Sequence, residues 1–118
     1  MNKKKIIKAI SEGRVAENRR AKFDYSIIDT VEAGIVLLGS EVKSLREGKA
    51  SLKESYIKIR KGQAWMVGVH ISAYSHTGFS GHEPLRDRRL LLHKNEIYKI
   101  NQKLSEKGLT ALPLKLYF

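Results

Sequence analysis

The sequence predicts a mainly β fold, a small antiparallel barrel or sandwich with short flanking helices. Stretches in which apolar and polar residues alternate outnumber stretches with helical periodicity. Turn signals containing glycine separate these stretches along the whole chain. A length of 118 residues is that of one domain with a small core.

The first strand-like region begins at Asp24. From Tyr25 to Leu37, apolar residues fall on one parity and polar residues on the other. The length of this region predicts two strands, or one strongly bent strand with a break near residues 32–34.

A short basic helix is predicted over residues 41–47. Ser40 can cap its start through the side-chain oxygen, and Gly48 suits the left-handed conformation just past its end. Lys43 and Arg46 lie on one side of this helix, so it would present fixed cations. An ordinary surface helix with solvated side chains explains the same spacing equally well.

Residues 55–60 and 63–71 are predicted to form two strands joined by a tight turn at Lys61-Gly62. Alternation along the first strand places Tyr56 on the same side of the strand as two cations, Lys58 and Arg60. One face of this strand should therefore carry a ring and two positive charges.

The C-terminal third is predicted to contain a loop, a helix and a strand. Residues 74–87 form the loop, and residues 93–107 form the clearest helix, closed by Gly108. The final strand covers residues 109–118, and its Pro113 favours a strand start or a sheet edge.

The net charge of +11 predicts a polyanionic partner, most often a nucleic acid. Residues 1–22 carry eight Lys or Arg and two Glu, so we expect residues 1–16 to be a flexible basic arm and residues 17–118 to be a folded, basic domain that binds such a partner. The apolar runs are too short to span a membrane, and no signal peptide is recognisable. The absence of cysteine excludes disulfides and agrees with a cytoplasmic protein.

Two clusters rich in Arg and Lys are candidate phosphate contacts, because the guanidinium fork matches the oxygens of a phosphate. The denser cluster outside the arm consists of Arg86, Arg88, Arg89 and Lys94. The second cluster, Asn18, Arg19, Arg20 and Lys22, precedes the predicted barrel. A solvated loop is the alternative interpretation of the denser cluster.

Exposed aromatic rings are candidate platforms for unstacked bases. The candidates are Tyr25, Tyr56, Trp65, Tyr74 and Phe79. Tyr56 and Phe79 are the better placed for exposure, whereas Trp65 lies in a strongly apolar strand and is interpreted as a core residue.

Four histidines at positions 70, 76, 82 and 93 raise the alternative of a small ribonuclease. Their spacing matches no common pattern of metal ligands, and no phosphate-binding glycine loop or nucleophile elbow is present. We therefore expect no catalytic residues, no metal and no cofactor.

Eight segments in consistent order resemble the SsrA-binding protein family, also called small protein B. These segments are Asn18-Arg19-Arg20-Ala21, Glu32-Ala33-Gly34, residues 38–49, Ser55-Tyr56, His70-Ile71-Ser72, Pro84-Leu85-Arg86, Arg88-Arg89-Leu90-Leu91-Leu92-His93-Lys94 and Pro113-Leu114-Lys115-Leu116-Tyr117-Phe118. The resemblance implies an oligonucleotide-binding-type β-barrel flanked by short helices.

The resemblance also implies a function. Such a protein binds the tRNA-like domain of transfer-messenger RNA and accompanies it to stalled ribosomes, where the nascent chain is tagged. It is an adaptor without a cofactor, a small-molecule substrate or a membrane partner. Glu32 and Leu91 match family positions tied to RNA binding, although an arginine-holding role for Glu32 and a core role for Leu91 explain these residues too. The further RNA-binding candidates on the middle segments are Lys43, Arg46, Lys49 and Tyr56.

The sequence departs from the family at its end. Family members continue past the Leu116-Tyr117-Phe118 segment with another strand or two and a basic tail, whereas the printed sequence stops at Phe118. We therefore expect RNA binding to be separable from the ribosomal stage, and residues 114–118 to form an apolar sheet edge. The main alternative function is a general tRNA- or ribosome-associated barrel protein.

Overall fold

A computed structural model describes residues 2–8, 14–73, 81–106 and 108–118, with the backbone alone for residues 2–8, 14 and 22. The strands are β1 (Asn2–Lys8), β2 (Arg14–Glu17), β3 (Ile27–Ile35), β4 (Ala50–Ser51), β5 (Tyr56–Arg60), β6 (Gln63–Val67), β7 (His70–Ile71), β8 (Arg88–Leu91) and β9 (Thr110–Tyr117). The helices are α1 (Arg20–Asp24), α2 (Gly39–Arg46) and α3 (Lys94–Leu104).

Seven strands form one curled sheet in the order β2-β9-β1-β3-β8-β6-β5, and β4 pairs with β7 separately. All pairs are antiparallel except those of β1, which runs parallel to both β3 and β9. The edge strand β5 lies close to β9, so the sheet curls back on itself around the core. The mainly β barrel-like fold is confirmed.

The interior of the curl is apolar. Its fully buried members include Ala64, Met66, Val69, Ile71 and Leu90, and α3 adds Ile97. Strand alternation produces this core, because every second residue of β5, β6 and β8 points inward. The residues between them point outward and form the surface described below.

The turn between β5 and β6 has the predicted position and geometry. Lys61 and Gly62 both have positive φ, 50° and 75°, as a two-residue hairpin turn requires. The register then pairs Tyr56 with Val67 and Lys58 with Trp65. The second predicted strand is shorter than expected, because the chain breaks at Gly68, whose φ is 82°.

Helix α2 starts two residues earlier than predicted, and its cap differs. Leu38 is the N-cap residue, and the Glu41 carboxylate accepts a hydrogen bond of 2.8 Å from the Leu38 N–H. The prediction that Ser40 caps the helix is wrong, since its hydroxyl pairs instead with Nδ1 of His82 at 2.8 Å. Gly48 has a φ of 72°, which confirms the predicted helix end.

Strand β9 is an interior strand, which contradicts the prediction of an edge. It lies between β2 and β1, and the pairing with β1 shifts register where Lys5 faces Pro113 and Ile6 faces Lys115. The irregularity accommodates the proline, which has no N–H to donate. The C-terminal segment is therefore covered on both sides.

Residues 2–8, predicted as part of a flexible arm, form β1 in this sheet. The backbone groups of β3 and β9 offer hydrogen-bond partners on both sides of this position, which explains why a basic segment forms a strand there. The division of the chain at residue 17 stays a prediction.

In the part of the chain that the structure describes, no helix is long and apolar enough to cross a membrane.

Candidate nucleic-acid interface

The outward side of β5, β6, β8 and β3 carries cations and aromatic rings. We call this surface the outer face. Its members are Glu32, Tyr56, Lys58, Arg60, Trp65, Arg89 and Leu91, each outward by strand alternation. The structure thus brings together four of the residues proposed from sequence: Glu32, Tyr56, Arg89 and Leu91.

A cation, a ring and a second cation form one row across three strands of the outer face. Lys58 of β5 faces Trp65 of β6, and Trp65 faces Arg89 of β8. Neighbouring strands lie about 4.8 Å apart, so the two cations flank the indole on adjacent strands. The row therefore combines a flat apolar surface with two charges suited to phosphates.

Trp65 corrects the prediction of a core residue, because it is half-buried on the outer face. The guanidinium of Arg60 lies over its ring, with Cζ 4.7 Å from the ring centroid. Arg60 also pairs with Asp87 at 3.5 Å. Arg60 is therefore held by a ring beneath it and a carboxylate beside it.

Leu91 is 53% exposed, although the sequence pattern favoured a core position. It lies opposite Gly34 of β3, where a Cβ atom would approach the Leu91 side chain to 3.3 Å. Leu91, Gly34 and Glu32 line an open depression of about 500 Å³, completed by His93 and Glu96 of the α3 start. Because Gly34 has no side chain, the Leu91 side chain can occupy the space above it without a steric clash.

Arg88 corrects another prediction, because it faces the interior and is 0% exposed. Its guanidinium donates to the buried Glu41 carboxylate at 2.6 Å, to the Val69 carbonyl at 2.6 Å and to the Pro84 carbonyl at 3.1 Å. A guanidinium used in this way cannot contact RNA directly. Arg88 instead ties β8 to α2.

Arg86 shares the same carboxylate. Its guanidinium donates to Glu41 at 2.6 Å and to the Val36 carbonyl at 3.4 Å, and its side chain is one-third exposed. Of the three clustered arginines, Arg88 is structural, Arg86 is partly engaged, and Arg89 alone faces outward on β8.

The two buried charges stabilise each other's ionised forms. Burial by itself would raise the pKa of Glu41, but hydrogen bonds from Arg86, the Leu38 N–H and Arg88 outweigh it and hold the pKa below its ordinary value. Burial lowers the pKa of Arg88, and the Glu41 carboxylate partly offsets this effect. Both groups are ionised at neutral pH.

The cluster of Asn18, Arg19, Arg20 and Lys22 lies between the end of β2 and the first turn of α1. Asn18 is half-buried, where its N–H donates to the Leu114 carbonyl at 2.7 Å and its Oδ1 accepts from the Ala21 N–H at 3.3 Å. Arg19 and Arg20 are exposed beside it, paired with Glu17 at 3.7 Å and Asp24 at 3.5 Å. The side chain of Lys22 lies outside the described residues.

The cations of α2 form a third group. Lys43 and Arg46 are exposed on the helix, Arg46 lies over the Phe118 ring at 5.1 Å, and Lys49 pairs with Glu47 at 3.2 Å. Lys94 is exposed at the first residue of α3. The predicted site residues thus lie on several elements of the fold, namely β3, β5, β8 and the three helices or their flanks.

Among the described histidines, His82 has a structural role. His82 is buried, with Nε2 2.8 Å from the Ile71 carbonyl and Nδ1 2.8 Å from the Ser40 hydroxyl, so it fixes the chain between β7 and β8. Among the described residues, no three His, Cys, Asp or Glu side chains lie together as metal ligands would. Tyr74, His76 and Phe79 lie outside the described residues.

The site predicted from sequence omitted Lys58, Arg60 and Trp65. The alternation along β5 already placed the two cations beside Tyr56. The Lys61-Gly62 turn fixes the register that sets Lys58 opposite Trp65. Applying that register to the sequence would have moved Trp65 from the core to the outer face.

A curled β sheet with rings and cations on its outer side is the architecture of a nucleic-acid-binding barrel protein. The comparison with protein families identifies the particular class. The family model described as SmpB protein matches residues 15–118, and the chain belongs to this family.

Curated relatives agree with the family assignment. The chain is 51% identical over 118 residues to the SsrA-binding protein of Syntrophobacter fumaroxidans, covering 100% of this chain and 73% of that protein. It is 59% identical over 101 residues to the SsrA-binding protein of Chlorobaculum tepidum, covering 86% of this chain and 64% of that protein. The SsrA-binding protein of Staphylococcus aureus is 49% identical over 112 residues, with 95% and 73% covered.

A solved structure has the same fold. It is described as "tmRNA-SmpB: a journey to the center of the bacterial ribosome", and it matches with a TM-score of 0.72 and 45% sequence identity. The match covers 86% of this chain and 71% of that chain.

Proposed function

We propose that this chain binds the tRNA-like domain of transfer-messenger RNA and delivers it to stalled ribosomes for trans-translation. The observation that carries the proposal is the outer face, with its row of Lys58, Trp65 and Arg89. Membership of the SmpB family and the likeness to a tmRNA-SmpB structure support it.

The chemistry of the outer face suits a folded RNA. Lys58 and Arg89 supply phosphate contacts, which set affinity and its dependence on salt. Tyr56 and Leu91 are 43% and 53% exposed, and offer a ring and an apolar surface to bases that are not stacked in a helix. Glu32 can accept from a ribose hydroxyl or a base edge in the same surface.

The two other cationic groups extend the RNA-contacting surface in this proposal. Arg19 and Arg20 at the start of α1, and Lys43 and Arg46 of α2, are exposed. A tRNA-like domain or the ribosome is large enough to reach more than one side of a domain whose longest dimension is 45 Å.

Competition binding tests the proposal. A labelled tRNA-like domain bound to the chain is challenged with unlabelled tRNA-like domain, bulk tRNA or ribosomal RNA at several salt concentrations. We expect the tRNA-like domain to compete best at every salt concentration. Equal competition by bulk tRNA would instead support the alternative function, that of a general tRNA- or ribosome-associated barrel protein.

The proposed role is that of an adaptor and not of a catalyst. His82, one of the candidate bases, is buried and engaged by Ser40 and the Ile71 carbonyl. Incubation of labelled RNA with excess protein, with and without a chelator, should leave the RNA intact. Cleavage that disappears in the His70→Ala or His93→Ala variant would overturn the adaptor role.

The proposed partners also imply a location. Ribosomes and transfer-messenger RNA act in the bacterial cytoplasm, and we place the chain there. Sedimentation of a cell lysate should recover the chain with the ribosomal fraction. Recovery with the membrane fraction alone would contradict this part of the proposal.

A further inference from the structure

Arg60 on the outer face lies over an aromatic ring and close to a carboxylate. Its Cζ lies 4.7 Å from the centroid of the Trp65 ring, and its Nη1 lies 3.5 Å from the Asp87 carboxylate. The side chains of Arg60 and Asp87 are 43% and 38% exposed. The guanidinium therefore lies over the indole with a carboxylate within ion-pair distance, and the Arg60 side chain remains 43% exposed to solvent.

We propose that Arg60, Trp65 and Asp87 form a site for one unpaired RNA base, which stacks on the outward plane of the Arg60 guanidinium. This inference rests on the proposed RNA binding and specifies which feature of the RNA the site takes. The base, the guanidinium and the indole form a three-layer stack, with Asp87 fixing the orientation of the middle layer.

The two contacts are what make Arg60 suitable. A free arginine side chain loses rotamer entropy when it becomes a flat platform, whereas Arg60 is already ordered by two contacts. Guanidinium planes and aromatic rings are the surfaces on which proteins stack single-stranded bases. A base inside a duplex hides its faces, so this site distinguishes an unpaired base from a paired one.

The surroundings supply the phosphate contacts that such a base needs. Lys58 and Arg89 flank Trp65 in one row, so the phosphates on either side of a stacked base lie within reach of two cations. Each cation neutralises charge without reading the base, while the stack selects for the absence of pairing.

Two substitutions separate stacking from charge. Arg60→Lys keeps the charge and removes the plane. Asp87→Asn removes the carboxylate that orients the plane and makes the protein more positive. Electrostatic attraction alone predicts that Asp87→Asn tightens binding to every RNA. The proposed site predicts weaker binding to an RNA with an unpaired base and no weakening with a paired one.

The experiment compares a short RNA duplex that carries a single bulged adenosine with the same duplex lacking it. We expect the wild-type chain to prefer the bulged duplex, and Arg60→Lys and Asp87→Asn to reduce its affinity for that duplex about five- to tenfold. The salt dependence of Arg60→Lys should equal that of the wild type, because the charge is unchanged.

Lys61→Gln is the matched control, because it removes a neighbouring cation in the turn without touching the stack. It should retain the preference for the bulged duplex, and thermal unfolding should show all variants folded. Equal affinities of the wild type and Arg60→Lys for the bulged duplex would overturn the site. The site would also be overturned if Lys61→Gln lost the preference for the bulged duplex as much as Arg60→Lys does. The proposed function has its own test, since it fails only if the tRNA-like domain does not outcompete bulk tRNA.

Discussion

At the scale of single residues, two consecutive arginines of β8 have different roles. Arg88 faces inward and is fully buried against Glu41, whereas Arg89 faces outward beside Trp65. The period of two along a strand produces this division. A pair of adjacent arginines that looks like one basic motif is therefore one structural residue and one candidate ligand.

The Glu41→Gln substitution should destabilise the fold strongly. It leaves the Arg88 guanidinium buried without its counter-charge, which costs about 3–5 kcal/mol in comparable cases. Urea unfolding at neutral pH measures the effect. Glu47→Gln, on an exposed pair with Lys49, is the control and should change the free energy of unfolding by less than about 1 kcal/mol. Equal changes in the free energy of unfolding for the two substitutions would show that the buried ion pair contributes no more to stability than the exposed one.

The same carboxylate predicts a pH dependence. The pKa of Glu41 in the folded protein lies below its ordinary value of 4.5, so folding favours the ionised form. Its stabilising contribution is therefore complete above pH 4.5 and is lost as the pH falls below that value towards the folded pKa. The stability difference between the wild type and Glu41→Gln should narrow over this acidic range. A difference that stays constant from neutral pH to about pH 3 would contradict the assignment.

At the scale of secondary-structure elements, β1 is the hydrogen-bonding neighbour that covers one side of the C-terminal strand β9. It pairs in parallel with β3 on one side and β9 on the other, and β9 would otherwise present a row of apolar residues at an open edge. A charged N-terminal segment thus completes the sheet.

Deletion of residues 1–8 should lower the free energy of unfolding by at least about 1–3 kcal/mol, because β3 and β9 each lose hydrogen-bond partners. Static light scattering should also detect self-association through the exposed edges. Lys3→Gln is the control, since it removes a charge and keeps the backbone pairing. Unchanged stability and a monomeric state after the deletion would show that the segment behaves as an arm.

At the scale of the whole molecule, the sequence predicted what depends on local periodicity. The β5–β6 hairpin, α2 with Gly48, and α3 follow from alternation, helical spacing and glycine positions. The outer face also follows in part, because Tyr56, Lys58 and Arg60 share one parity.

Contacts between distant segments could not be predicted in this way. The burial of Arg88 depends on Glu41, which lies 47 residues away along the chain. The interior position of β9 depends on β1, from the opposite end of the chain. Pro113 indicated a sheet edge because it has no N–H to donate. The rule is local, so it cannot anticipate the register shift that accommodates the proline inside the sheet.

The central claim is that the outer face of β5, β6, β8 and β3 binds the tRNA-like domain. The most direct measurement is an anisotropy titration of that RNA domain with the wild type, Arg89→Glu and Lys99→Glu at matched salt. Lys99 is an exposed lysine of α3, so its reversal changes the net charge equally. We predict that Arg89→Glu weakens binding at least about tenfold and Lys99→Glu far less. Equal losses for the two variants would show that binding follows net charge and not the outer face.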